Sequence, residues 1–152
     1  MDQPDSACGT DGPTVILIAI DESVTALRAA AYAVGLARRQ GARLVALYVE
    51  PLASLAMGSA QGAPIVAAER ELRGEIGREL ARQTAEKARE FAIPLSFVTA
   101  AGDPYREITR VAGETRADAV VVGASLRPGH RVLGSLAVRL VRAGKWPVTV
   151  VP

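Results

Sequence analysis

The residues with the most chemical potential lie in one run near the end of the chain, from Gly123 through Ala124, Ser125, Leu126, Arg127, Pro128, Gly129, His130 and Arg131 to Gly134 and Ser135. Glycine lets backbone approach a ligand closely, and this run holds Gly123, Gly129 and Gly134. Gly134 and Ser135 open a helical pattern, so the free N–H groups of its first turn and the helix dipole would favour an anion. Ser135 could add a hydroxyl donor, and Arg127, His130 and Arg131 could reach phosphates. The same residues also fit a plainer reading, in which Pro128-Gly129 is a turn pair and Gly134-Ser135 starts a helix without a ligand.

A second candidate is Asp21, which directly follows the apolar run Val15–Ile20. It could face a ligand, or it could cap the next helix, a role that Ser23 also fits. Other chemistries fail on residue types. Gly123-Ala-Ser125 lacks the second glycine of a nucleophile elbow, since position 127 is arginine. Arg127-Pro-Gly-His130 lacks the first histidine of the His-x-Gly-His pattern of nucleotidyl transferases and follows the wrong strand. One cysteine, Cys8, and one histidine, His130, do not make a zinc or iron site. No intact Gly-x-Gly-x-x-Gly follows the first strand. No residue offers itself as a base placed to activate water, so the sequence points to binding rather than turnover, and the chain is not read as an enzyme.

The elements that must position these residues are legible from periodicity. Val15–Ile20 is a short β-branched run, a buried strand. Ser23 then caps a helix over Val24–Gln40, with Leu27, Ala30, Ala31, Val34 and Ala37 as its apolar stripe and Gly41 as its terminator. Arg43–Val49 is a second strand, and Pro51–Pro64 reads as a loop. Ile65–Phe91 reads as a long surface helix with Leu72, Ile76 and Leu80 on one stripe, though Gly74 and Gly77 weaken it. Pro94–Ala100 is a third strand, and Asp103-Pro104 starts a helix as N-cap and first residue, with Ile108, Val111 and Ala112 facing the core. Ala119–Val122 is a fourth strand, Gly134–Gly144 a fourth helix and Pro147–Val151 a fifth strand. Strand and helix alternate throughout, and the strands are continuous apolar runs. That is the pattern of a parallel sheet with helices on both faces. Ligands of such folds sit beyond the carboxyl ends of the strands, where the connections change direction, which selects Asp21 and Gly123.

The chain has 152 residues, 49% hydrophobic and 22% charged, enough for one domain with a real core. We expect a flexible tail over residues 1–12 and one domain over 13–152. The acidic start lacks an apolar run and reads as no secretory signal, so the expected location is cytoplasmic, with no membrane partner. A lone Cys8 excludes an intrachain disulfide. The net charge of +2 is too balanced to indicate nucleic acid, and at 4% aromatic residues the chain has no stacking platform for single strands. After Asp118 there is no acidic residue, while Arg127, Arg131, Arg139, Arg142 and Lys145 follow; this basic quarter could attract phosphate or simply be a solvated face.

Residues 14–152 resemble a universal stress protein domain. The resemblance rests on Ile18-Ala19-Ile20-Asp21-Glu22-Ser23, Gly102-Asp103-Pro104 with Ile108, Ala117-Asp118 before Val120–Gly123, and the ending Gly134-Ser135 with Trp146-Pro147 to Pro152. It implies an open five-stranded α/β sheet in the order 3-2-1-4-5, of the adenine-nucleotide alpha-hydrolase-like Rossmann type. It implies a homodimer joined through the last strand, Val148–Val151. One branch of the family binds ATP with Mg²⁺ through a phosphate loop of Gly, two residues, Gly, nine residues, then Gly-Ser or Gly-Thr. This chain matches at Gly123, Gly134 and Ser135. It has Leu126 where the second glycine belongs, and its loop is two residues shorter. Gly129 could substitute, or Leu126 could fill the space of the nucleotide. The resemblance places Ala19, Asp21, Ser23, Val49 and Ser125 at the nucleotide as well, with adenine against Val49 and Asp21 near the ribose or metal. The expected function is a small stress-response module that uses an adenine nucleotide as a switch. The alternative is a nucleotide-free dimer that engages an unknown protein partner.

Overall fold

The computed structural model describes residues 12–50, 63–124 and 134–152. The expected tail with Cys8, most of the expected Pro51–Pro64 loop, and Ser125, Leu126, Arg127, Gly129, His130 and Arg131 lie outside the described residues. The elements follow in the order β1 (Val15–Ile20), α1 (Val24–Gln40), β2 (Arg43–Glu50), α2 (Ala63–Glu90), β3 (Leu95–Ala101), α3 (Pro104–Thr115), β4 (Ala119–Gly123), α4 (Ser135–Ala143) and β5 (Val148–Val151). All strands are parallel, in the order β3-β2-β1-β4-β5.

Alternation along the central strands divides the core in two. Ile16, Ile18, Ile20, Leu44, Ala46 and Tyr48 pack under α1 and α2, whereas Leu17, Val45, Leu47, Val120 and Val122 pack under α3 and α4. Both sides of β1 and β2 are therefore apolar, as a sheet covered on two faces requires.

Helix ends follow local chemistry. The Ser23 hydroxyl accepts the Ala26 N–H at 3.1 Å, and Gly41 closes α1 with a φ of 64°, a conformation cheap only without a Cβ. Asp103 accepts the Arg106 N–H at 3.0 Å and Pro104 starts α3. Asp118, just before β4, accepts from the N–H groups of Thr14 and Val15 and from the Thr14 hydroxyl at 2.8–2.9 Å. It thereby ties the entry of β1 to that of β4.

Two packing expectations are corrected. The buried face of α1 is Thr25, Ala26, Ala29, Ala33 and Ala37, while Leu27 is 52% exposed. Alanines bring the helix axis close to the sheet, and that contact outweighs burial of the larger Leu27 face. On α2, Leu72 is 57% exposed, Ile76 is half-buried and only Leu80 of the expected stripe is buried. The helix has 28 residues, about 42 Å of length against roughly 26 Å for β2. Its amino-terminal part therefore runs past the sheet. Gly77 does not interrupt it: a Cβ there would meet the Tyr48 ring at 3.1 Å, so the glycine is where α2 seats on β2.

Candidate functional site

The connection from β1 leads through α1 to β2 on one side, and that from β4 leads through α4 to β5 on the other. The carboxyl ends of β1 and β4 are thus the switch point of the sheet. The pairing there is incomplete. β1 pairs with β2 as far as Ile20 and Tyr48, and β4 pairs with β5 as far as Gly123 and Val151, but β1 and β4 pair only from Ile16–Ala119 to Ile18–Val121. Beyond Ile18 and Val121 the two strands are no longer paired.

Of the sequence-predicted residues, Ala19, Asp21, Ser23, Val49, Gly123, Gly134 and Ser135 fall among the described ones. Ala19 and Val49 are half-buried on the α3 and α4 face of β1 and β2. Asp21 follows Ala19 by two residues and is exposed. One of its carboxylate oxygens accepts the Ser23 N–H at 2.8 Å; among the described residues the other takes no hydrogen bond. Ser23, not Asp21, caps α1, and its hydroxyl also lies 3.2 Å from that of Thr25. Capping of α1 thus falls to Ser23 and not to Asp21, which keeps one carboxylate oxygen without a hydrogen bond among the described residues.

Gly123 has a reason of its own. A Cβ on it would lie 2.7 Å from the Ala26 nitrogen and from the Thr25 carbonyl carbon. The backbone of the first turn of α1 occupies the place of a side chain, so glycine at the end of β4 seats α1.

Gly134 is the N-cap of α4 and supplies no side-chain acceptor, in contrast to Ser23 and Asp103 on α1 and α3. Among the described residues no side chain caps the first-turn N–H groups of α4, beside the exposed Ser135, which is the state in which a helix end attracts an anion. One turn further on, Arg139 reaches Asp103 at 3.3 and 3.4 Å and its guanidinium lies 4.2 Å from the Tyr105 ring centre. The Arg106 N–H, then Arg139, hold the Asp103 carboxyl below the usual carboxylate range. This strut sets α4 against α3. The sequence showed Arg139 only as one member of a basic stretch, because its partner lies 36 residues away. Burial pushes the Tyr48 hydroxyl up, and the carboxylates of Glu50, Glu22 and Asp21 add to that, with Arg73 opposing. The carboxyl end of β1 and β2 is thus an acidic rim.

The fold is an open parallel α/β sheet with helices on both faces. Residues 14–152 match the family model for the universal stress protein family. The chain is 30% identical over 138 residues to a universal stress protein of Methanocaldococcus jannaschii, covering 90% of this chain and 80% of that one. It is 31% identical over 143 residues to the universal stress protein YxiE of Bacillus subtilis, covering 90% and 97%. Among solved structures, the universal stress protein UspA of Lactobacillus plantarum superposes with a TM-score of 0.75 at 26% identity, covering 91% and 97%. The chain belongs to the universal stress protein family. Two fold relatives were solved with nucleotides: a universal stress protein in complex with cAMP (TM-score 0.64, 22% identity, covering 92% and 97%) and an Arabidopsis thaliana family member with AMP bound (TM-score 0.65, 20% identity, covering 91% and 91%).

Proposed function

We propose that this protein is a stress-response module that binds an adenine nucleotide, ATP with Mg²⁺, in the crevice between β1 and β4 and uses it as a switch. The observation that carries this reading is the early end of the β1–β4 ladder, together with an α4 N-terminus that no side chain caps among the described residues. The nucleotide-bound fold relatives add support. The residues fit the ligand: Val49 and Ala19 offer apolar surface for the base, Asp21 a carboxylate for ribose or metal, and Gly134 and Ser135 backbone donors for phosphate. Among the described residues no cluster of three or more His, Cys, Asp or Glu could hold a metal, so Mg²⁺ would be held chiefly through the nucleotide, with Asp21 nearby.

The protein works by binding and not by turnover, as a homodimer in the cytoplasm. The outer edge of β5 supports the dimer. Among the described residues β5 pairs only with β4, and its four residues are all half-buried, so a second copy could pair along Val148–Val151. No described helix is long and apolar enough to cross a membrane.

The test is to denature fresh protein, chromatograph the released adenine nucleotides, and titrate the emptied protein with Mg-ATP by calorimetry. Asp21→Asn and Ser135→Ala should each weaken ATP by about tenfold, the worth of one hydrogen bond to a charged group. Unchanged affinity in both variants overturns the site. Absence of nucleotide and of heat would favour the second reading, a nucleotide-free interaction dimer, which the shortened loop with Leu126 supports. Sustained phosphate release above the Ser135→Ala level would overturn the non-enzymatic reading.

A further inference from the structure

We propose that Arg139 makes the site prefer ATP to AMP, by taking a phosphate beyond the one held at the head of α4. This role rests on the nucleotide reading above and gives that site a specificity-determining residue. One ion pair is unlike its neighbours. Along α2 and α3 the described pairs join residues three or four apart on one helix. Arg139 instead crosses from α4 to Asp103, the N-cap of α3.

That crossing is loose. Arg82 and Arg110 approach their carboxylates to 2.6–2.8 Å, whereas Arg139 stays at 3.3 and 3.4 Å from the two oxygens of Asp103. Both side chains are half-exposed. The guanidinium lies 4.2 Å from the Tyr105 ring centre, a contact that holds it without using an N–H group. A guanidinium also has N–H groups beyond the two turned to Asp103, and among the described residues these have no acceptor. Arg139 is therefore held in place with donors to spare.

Its position selects what those donors meet. Arg139 follows Ser135 by four residues, so both lie on one side of α4, with Cβ atoms about 5–6 Å apart. Helical side chains lean towards the N-terminus, which turns the guanidinium to the head of α4. Asp103 stands at the same end of the sheet, because it follows β3 as α4 follows β4, and all strands are parallel. The Arg106 N–H, ahead of Arg139, holds the Asp103 carboxyl below the usual carboxylate range, so it stays ionised and repels a phosphate chain. Arg139 cancels that charge and offers its spare N–H groups in its place. AMP has one phosphate, which the first-turn N–H groups occupy. Only a longer chain extends along this side of α4 to Arg139.

The probes are Mg-ATP and AMP, titrated separately by calorimetry into nucleotide-free protein, with a melting curve to confirm that each variant is folded. The wild type should bind Mg-ATP about tenfold more tightly than AMP, the worth of one hydrogen bond to a charged group. Arg139→Gln should lose that preference and leave AMP unchanged, and Arg139→Lys should recover part of it. Asp103→Asn supplies the opposite sign. Asparagine caps a helix as well as aspartate, so α3 keeps its start, while the charge that repels a phosphate chain is gone. Mg-ATP should then bind about two- to fivefold more tightly, the worth of an exposed ion pair. A strut that only sets α4 in place gives another result: both substitutions break the same pair, so both weaken Mg-ATP and AMP alike. That result overturns the proposal, as does equal affinity of the wild type for the two nucleotides. A wild type that binds neither overturns the nucleotide reading and this role with it. A wild type that binds both, with Arg139→Gln unchanged, overturns this role alone.

Discussion

Replacing Gly123 with alanine tests whether the seat of α1 on β4 is as tight as the geometry says. The added Cβ would lie 2.7 Å from the Ala26 nitrogen and the Thr25 carbonyl carbon and 2.9 Å from the Thr25 oxygen. Ordinary contact begins near 3.4 Å, so atoms of the α1 backbone must retreat by about 0.7 Å. None of the three is the end of a flexible side chain. The strain cannot be relieved by a rotamer change and falls on the turn from Ser23 to Ala26. We expect a cost of about 2–3 kcal/mol, the upper part of the usual range for overpacking. For a chain of this size that is a fall in melting temperature of roughly 4–12 °C. The control is Gly113→Ala. Gly113 lies in α3, a Cβ there meets nothing within 4 Å, and removing a helical glycine should stabilise by up to about 1 kcal/mol. Thermal melts followed by circular dichroism decide the matter. If Gly123→Ala melts with the wild type while Gly113→Ala rises, the seating argument is wrong and the glycine is present for another reason. If the seating argument holds, the displaced turn also holds the Ser23 N–H that orients the Asp21 carboxylate, and the affinity for Mg-ATP should fall with stability.

Two further substitutions probe the supports of the same edge. Ser23→Ala removes the acceptor for the Ala26 N–H and should destabilise by about 1 kcal/mol, read as a shift in the midpoint of urea unfolding at unchanged slope. Asp118 bears on pH. The Thr14 hydroxyl, followed by the N–H groups of Val15 and Thr14, hold its carboxyl below the usual range. Its folded form thus binds a proton less readily than the unfolded chain. The stability it contributes is complete above the ordinary carboxylate range and is lost as the pH falls through it towards the folded value. Wild-type stability should therefore drop more steeply below about pH 4 than that of Asp118→Asn, and parallel acid limbs of the two unfolding curves would refute this.

What could be read in the sequence was local. The caps at Ser23 and Asp103 depend on residues within three positions, and both were legible because the chemistry of a helix end needs nothing further away. Strand runs such as Val15–Ile20 and Ala119–Val122 declared themselves by branched side chains, since both faces of a central strand are buried. The misreadings came from contacts between distant segments. Periodicity allows α1 to bury either its Leu27 face or its Ala29 face, and only the sheet beneath it, with Gly123 open to the helix backbone, selects the alanines. Gly77 looked like a flaw in α2 until Tyr48, 29 residues earlier, supplied the reason for it. The parting of β1 from β4 has no signature in either strand, because a register between segments a hundred residues apart is a property of neither alone. The site follows the same division. Asp21 and Gly134 could be named as types in position, yet their meaning rests on what their neighbours leave undone. Ser23 caps α1 and so leaves Asp21 an unengaged oxygen, and glycine at the head of α4 leaves its N–H groups unclaimed by any described side chain. A ligand site is built from such unfilled capacity, which becomes visible only when every local partner has been placed.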